Sequence, residues 1–328
     1  MSESQPTPTA GVDYPRTWSQ FEDWFVSEEE CVRYLERLRW PDGFVCPSCA
    51  TKRDPYRSSR GRLICRTCRH PGTVTSGTIF DKTRTPLKVW LAAAWHLTSQ
   101  KSGMSALGLQ RVLGFGSYQT AWTILHRFRR AMVRPGRERL KGIVEVDQSY
   151  LAIRERRDTP VGKGGKRRTT KAVVVIAVEI LEPKGFGRIR LQQIEEESTA
   201  SVEPFVRAVV EPGSVLRTDG AAIYRALQDD YQHERMVIKS VMPDAIPAHV
   251  PLPGVHRVAS LLKRWLLGTH QGAVKPAHLD HYLDEFVFRF NRRTSHSRGL
   301  LFYRLIEQAV QAGPITYRQI TRKSPREG

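Results

Sequence analysis

Residues 171–181 read KAVVVIAVEIL, an apolar run that does not alternate. A strand with one face in water alternates apolar and polar side chains, whereas a strand buried on both faces is apolar throughout. The run therefore demands a sheet covered on both sides. The chain is long enough to supply one. It has 328 residues, of which 40% are hydrophobic, sufficient for two or three domains with packed cores. Residues 188–194, RIRLQQI, read as an alternating strand. Residues 142–150, GIVEVDQSY, read as another, with apolar Ile143, Val144 and Val146 interrupted by Asp147. A bare carboxylate near the end of a buried strand is costly unless something compensates it.

Two later stretches offer that compensation. Residues 214–220, SVLRTDG, carry a strand into a second carboxylate, Asp219. Residues 255–269, VHRVASLLKRWLLGT, form a helical pattern in which His256 and Lys263 stand seven residues apart, on one face. The remaining elements follow in order. Residues 199–210 read as a helix, 221–227 as a short helix, 235–241 as a last strand, and 276–293 and 300–311 as C-terminal helices. Three strands, helix, strand, helix, strand and then helices is the order of an RNase H-like domain, an α/β fold with a mixed sheet.

The charge is lopsided. Lys and Arg number 52 against 33 Asp and Glu, a formal net charge of +19. A strong basic excess points to a polyanionic partner, and nucleic acid is the expected one. No run reaches the roughly 18 apolar residues of a membrane span, so no membrane partner is expected. The first residues, MSESQPTPTAG, lack the apolar core of a signal peptide. The expected location is cytoplasmic and nucleoid-associated.

Four of the five cysteines fall in two close pairs, Cys46-Pro-Ser-Cys49 and Cys65-Arg-Thr-Cys68, with fifteen residues between them. Each pair lets two thiolates reach one ion from a tight turn, and four thiolates suit a closed tetrahedral zinc site. Cys31 lies on an apolar helical face and reads as a buried thiol. Further on, residues 103–113 form a short helix ended by Gly114, and Ser117 caps a third helix, residues 118–133. A short helix, a Gly-containing turn and a helix carrying Arg127 and Arg130 read as a helix-turn-helix. A Gly-rich basic stretch, residues 154–170, reads either as a solvated hairpin loop or as a set of DNA-phosphate contacts beside Asp147 through Lys163, Lys166, Arg167 and Arg168. The expected organisation is a disordered tail over 1–17, an N-terminal helix and zinc ribbon over 18–80, and a helix-turn-helix-like DNA-binding region over 81–137. The RNase H-like catalytic domain with C-terminal helices then spans 138–313, before a tail over 314–328.

Two strand-end carboxylates and a helix offering a third ligand outline a two-ion phosphoryl-transfer site. Asp147 is the candidate bridge between the ions, and Asp219 stands on the neighbouring strand. Between residues 255 and 270 there is no acid, and His256 is the residue able to bind a metal. Imidazole suits Mn²⁺ better than Mg²⁺. Glu285, on the next helix, is the competing third ligand. Lys263 can contact the phosphate beside the scissile bond.

These stretches resemble the IS1595 family of insertion-sequence transposases, with its ISXO2-like catalytic domain. The resemblance rests on RWPDGFVCPSC with CRTC, TSGTIFDKTRTPLKVWLAAAW, GMSALGLQRVLGFGSYQTAW, GIVEVDQSY, VLRTDGAAIY, and VHRVASLLKRWLLGTHQG running into HLDHYLDEFVFRFNRR, over roughly residues 18–305. The family's pattern of two Asp, then Asn, Glu or His, then Lys seven residues later implies a catalytic set of Asp147, Asp219, His256 and Lys263. Gln148 stands where many members carry Glu. The resemblance further implies double-stranded DNA as the nucleic-acid partner, Mg²⁺ (or Mn²⁺), cleavage at terminal inverted repeats to free a 3′-hydroxyl, strand transfer into target DNA, and a homo-oligomer of at least two copies on paired ends. A nuclease that stops at hydrolysis, and a decayed DNA-binding derivative without catalysis, are the alternatives.

Overall fold

The structure, a computed structural model, describes residues 7–59, 61–154, 169–236 and 252–321. The chain forms two compact units, one built from residues up to 134 together with 294–322, the other from residues 135–293.

The first unit begins with helices α1 (Trp18–Trp24) and α2 (Glu28–Arg39). Ser27 caps α2 by accepting from the Glu30 amide at 3.3 Å, as the Ser-Glu-Glu-Glu signal predicts. Three two-residue strands follow, β1 (Tyr56–Arg57), β2 (Leu63–Ile64) and β3 (Pro71–Gly72), paired antiparallel in that order. Helix α3 (Leu87–Ser99) is buried nearly all round, so it needs cover on every side. Its own N-terminus, at Pro86, has no side-chain cap. Glu28 supplies one from α2, its Oε1 accepting from the Leu87 amide at 2.6 Å. Helices α4 (Ala106–Leu113) and α5 (Tyr118–Ala131) complete the helix-turn-helix arrangement. Gly114 ends α4 at φ 67, a left-handed conformation that favours glycine, and Ser117 caps α5.

The second unit is the sheet. Strands β4 (Ile143–Arg154), β5 (Thr169–Ile180) and β6 (Phe186–Ile194) form an antiparallel meander, and β7 (Val215–Thr218) and β8 (Gln232–Arg235) add in parallel beside β4. The order β6-β5-β4-β7-β8 makes a mixed RNase H-like sheet. Helix α6 (Thr199–Val209) covers one face with Val144, Val146, Val175 and Ala177 beneath it. Helices α7 (Pro253–His270) and α8 (Leu279–Phe290) cover the other, over Leu151, Ile153, Val174, Ile176 and Val178. The unalternating run is thus buried on both faces, as its composition demands.

Elsewhere the structure departs from expectation. Strand β4 is not short, because it pairs with β5 through Arg154, so Asp147 lies within the strand and not near its end. The last strand falls at Gln232–Arg235 and not at 235–241, and residues 237–251 lie outside the described set. Helix α9 (Arg298–Ala309), expected in the catalytic domain, packs against α2, α3 and α5 in the first unit. There Phe302 inserts among Phe21, Phe25, Tyr34 and Trp95, and completes the cover that α3 requires. The expected tails are partly structured too. Tyr14 is 4% exposed, and the Asp13 carbonyl accepts from the Tyr34 hydroxyl at 3.2 Å. Near the other end, α10 (Tyr317–Thr321) buries Ile320.

Candidate active site and metal centre

Strands β4 and β7 run parallel with Glu145 opposite Arg217. Two residues on, the same register sets Asp147 beside Asp219, just past the end of β7 at Thr218. Here β4 loses its parallel neighbour and the sheet edge opens. Asp147 Oδ1 accepts from the Gln148 amide at 2.7 Å, and Asp219 Oδ1 from the Ala221 amide at 3.0 Å. His256 is half-buried in the first turn of α7, and Lys263 is exposed two turns further along.

These groups act on one another. The Asp147 carboxyl is pushed up to about 6, first by burial and then by the Asp219 charge, against the pull of the Gln148 amide and of His256. A carboxylate that is both buried and beside a like charge is costly, and a divalent cation would offset that cost. Two carboxylates and an imidazole form a donor set that Mg²⁺ or Mn²⁺ accepts, so the residues fit the expected ions. They do not form a closed cage. Among the described residues, the only metal-ligating set whose donor atoms all lie within 4.8 Å of one another is the four-thiol group. Glu285, the competing ligand, is fully buried on α8, which packs over the edge strand β6. The charges acting most on Asp147 come instead from Asp219, His256 and Glu197.

Two acids here escape a reading of the sequence for apolar pattern. Glu197 stands just before the cap of α6, and its charge reaches both Asp147 and Tyr150. Glu145 is 2% exposed, and its Oε2 accepts from the Gly254 amide at 2.7 Å and the Val255 amide at 3.0 Å. Burial pushes its carboxyl up while those amides pull it down. Strand alternation was the available signal: with Val144 and Val146 on one face, Glu145 must share the other with Asp147. Behind Asp147, Gln148 donates to the Tyr224 hydroxyl at 2.5 Å, and Tyr224 is fully buried under α6.

The thiols of the ribbon lie as their spacing predicts. Cys46 Sγ is 3.6 Å from Cys68 Sγ, and Cys49 Sγ is 3.7 Å from Cys65 Sγ. Disulfide sulfurs would stand about 2.05 Å apart, whereas sulfurs bound to one tetrahedral zinc at about 2.3 Å stand about 3.8 Å apart. The cluster therefore has the dimensions of a structural zinc site. The Thr51 hydroxyl and amide hold the Cys49 thiol down at about 6, which favours the thiolate that zinc binds. Cys31 is not part of the set; burial pushes its thiol up to about 12.

The predicted DNA contacts divide. Arg130 is exposed on α5. Arg127 is not presented to a groove, because its Nη1 donates to the Ile79 carbonyl at 2.9 Å and its guanidinium lies 5.9 Å from the Trp90 ring centroid. It is a strut of the helical unit, and His126 and Arg129 are buried beside it. The exposed start of α5 carries Tyr118 and Gln119. Lys163, Lys166, Arg167 and Arg168 lie outside the described residues.

Comparison with known proteins finds two family matches. Residues 139–291 match the ISXO2-like transposase domain, and residues 26–71 match the transposase zinc-ribbon domain. The chain is 28% identical over 275 residues to an uncharacterized protein in transposable element ISH50 of Halobacterium salinarum, covering 81% of this chain and 91% of that one. Among solved structures, a pre-cleavage Mos1 transpososome is 14% identical over 67% of this chain and 75% of that chain, with a TM-score of 0.24. A Mos1 strand transfer complex is 15% identical over the same shares, with a TM-score of 0.25.

Proposed function

Because the chain belongs to the insertion-sequence transposases with an ISXO2-like domain and a transposase zinc ribbon, we propose that it cuts DNA at the ends of its own element and joins the freed ends to target DNA. The observation that carries this reading is that the charges of Asp219, just past the end of β7, and of His256, in the first turn of α7, both act on the buried Asp147 of the neighbouring parallel strand β4.

Cleavage replaces the bond between phosphorus and a 3′-oxygen with a bond to water oxygen, leaving a 3′-hydroxyl and a 5′-phosphate. Joining repeats the displacement with that 3′-hydroxyl as nucleophile, and a target-strand 3′-hydroxyl departs. Asp147, Asp219 and His256 would hold two divalent cations, which when bound stabilise the entering and leaving oxygens of an in-line displacement. Asp147 would be shared between the ions, with Asp219 from beside it and His256 from α7 as the further ligands. Lys263, solvent-facing on the same helix, holds the phosphate next to the scissile bond. Arg130 and the exposed first turn of α5 bring the helix-turn-helix onto terminal-repeat DNA. The basic segment with Lys163, Lys166, Arg167 and Arg168 adds phosphate contacts beside the catalytic strand. An element has two ends and each chain has one such site, so cutting and joining both calls for at least two copies.

The test is to incubate the purified protein with a duplex carrying the terminal sequence of its own element, a target plasmid, and Mg²⁺ or Mn²⁺. The expected products are nicks at the element boundary and end–plasmid joints. Nicks without joints, from substrates supplied with a free 3′-hydroxyl end, would make the protein a nuclease.

A further inference from the structure

Helix α7 brings His256 to the site, yet it has no N-terminal cap of its own. Its N-cap residue is Leu252, which offers no side-chain hydrogen bond, and its first helical residue is Pro253, which has no N–H. The orphan amides of the first turn are those of Gly254 and Val255. Both donate to one oxygen, Glu145 Oε2, at 2.7 and 3.0 Å. His256 follows directly, its own amide bonded back to the Leu252 carbonyl at 3.2 Å. The approach is close enough that a side chain at position 254 would force Glu145 or Ile180 to move. A Cβ there would stand 2.8 Å from Glu145 Oε2 and 2.7 Å from Ile180 Cδ1.

We infer that Glu145 is a positioning residue for catalysis: it clamps the N-terminus of α7 to β4, and so fixes His256 relative to Asp147, two residues away on the same strand face. The inference rests on the catalytic reading of Asp147 and His256. A carboxylate at a helix N-terminus satisfies two donors and meets the positive end of the helix dipole. Here the clamp also joins two of the three elements that carry ligands, β4 with Asp147 and α7 with His256, while Asp219 follows β7. Glu28 caps α3 in the same way, with no ligand on either element, so the device is general and its use at α7 is specific. A metal site assembled from separate elements tolerates little misplacement, since about 1 Å can lower the rate about 100-fold.

The test measures amide exchange and end cleavage on the full-length chain. In Glu145→Ala, the Gly254 and Val255 amides should exchange at least about tenfold faster while β5 amides keep their protection. Cleavage of a terminal-sequence duplex should fall about 100-fold with end binding retained. Glu145→Gln keeps an acceptor oxygen and should restore both within about fivefold. Gly254→Ala, with Glu145 intact, should reproduce the loss, and it serves as the probe if Glu145→Ala does not fold. Unchanged exchange at Gly254 and Val255 in Glu145→Ala overturns the clamp. So does lost protection with cleavage at the parental rate. Asp147→Ala is run alongside: if it still cleaves, the catalytic reading fails, whatever the exchange data show for α7.

Discussion

The carboxyl of Asp147 resists ionisation in the folded protein, since burial and Asp219 raise it to about 6 from an ordinary value of about 3.9. A group whose pKa is raised on folding supports the fold most at low pH, and that support is lost as the pH climbs through the folded value. At pH 7.5 the metal-free protein therefore carries a destabilising charge at this position. Asp147→Asn removes it. The variant should melt a few degrees above the parent at pH 7.5, corresponding to about 1 kcal/mol. The difference should shrink as the pH is lowered toward 5. It should also shrink when Mg²⁺ is added, because the ion binds and stabilises the parent alone. Thermal melts across that range check it; equal melting temperatures at pH 7.5 without metal would remove the argument. Arg127 yields a second prediction at this scale. Arg127→Ala loses the Ile79 hydrogen bond and the Trp90 contact, so it should cost about 1–2 kcal/mol of stability. Arg130→Ala should leave stability unchanged and lower the salt dependence of end binding by about one unit of slope. Salt titrations of both variants decide whether Arg127 is the strut described here or a reader of DNA.

Among the elements, the ribbon depends most on its ligand. Its three strands are two residues each, too little pairing to hold a fold without a cross-link. Zinc supplies that link, and much of the folding free energy of so small a unit. Cys46→Ser with Cys68→Ser should therefore release the metal, expose residues 40–75 to fast amide exchange, and weaken end binding. The sheet of the second unit should keep its protection. Elemental analysis showing zinc retained in the double variant would contradict this. Helix α7 has the opposite dependence. Its apolar face is well buried, but its start is held by a residue 108 positions earlier than Pro253.

For the chain taken whole, legibility followed from how local each signal was. The strand buried on both faces could be read because burial erases alternation within one short run. The zinc cluster could be read because both pairs carry their spacing with them. Asp147 and Asp219 stood out as charges in apolar strands. What could not be read was pairing at a distance. The period of α9 says that one face is buried, but not that Phe302 fills the first unit and not the second. A basic helix shows arginines without telling which point to solvent, and so Arg127 looked like a DNA contact. The role of Glu145 could not be read because its partners are backbone amides, which have no sequence signature. No helix among the described residues is long and apolar enough to cross a membrane. Asp147 and Asp219 are proposed to perform the strand chemistry and not to serve DNA binding. The deciding experiment joins a pre-cut terminal duplex with a free 3′-hydroxyl to a target plasmid, in Mg²⁺, with the parent, Asp147→Ala, Asp219→Ala and His256→Ala. The parent should give joints, either Asp variant none at parental end affinity, and His256→Ala a partial loss that Mn²⁺ restores in part. Joining by Asp147→Ala or Asp219→Ala within a few-fold of the parent would contradict the proposal.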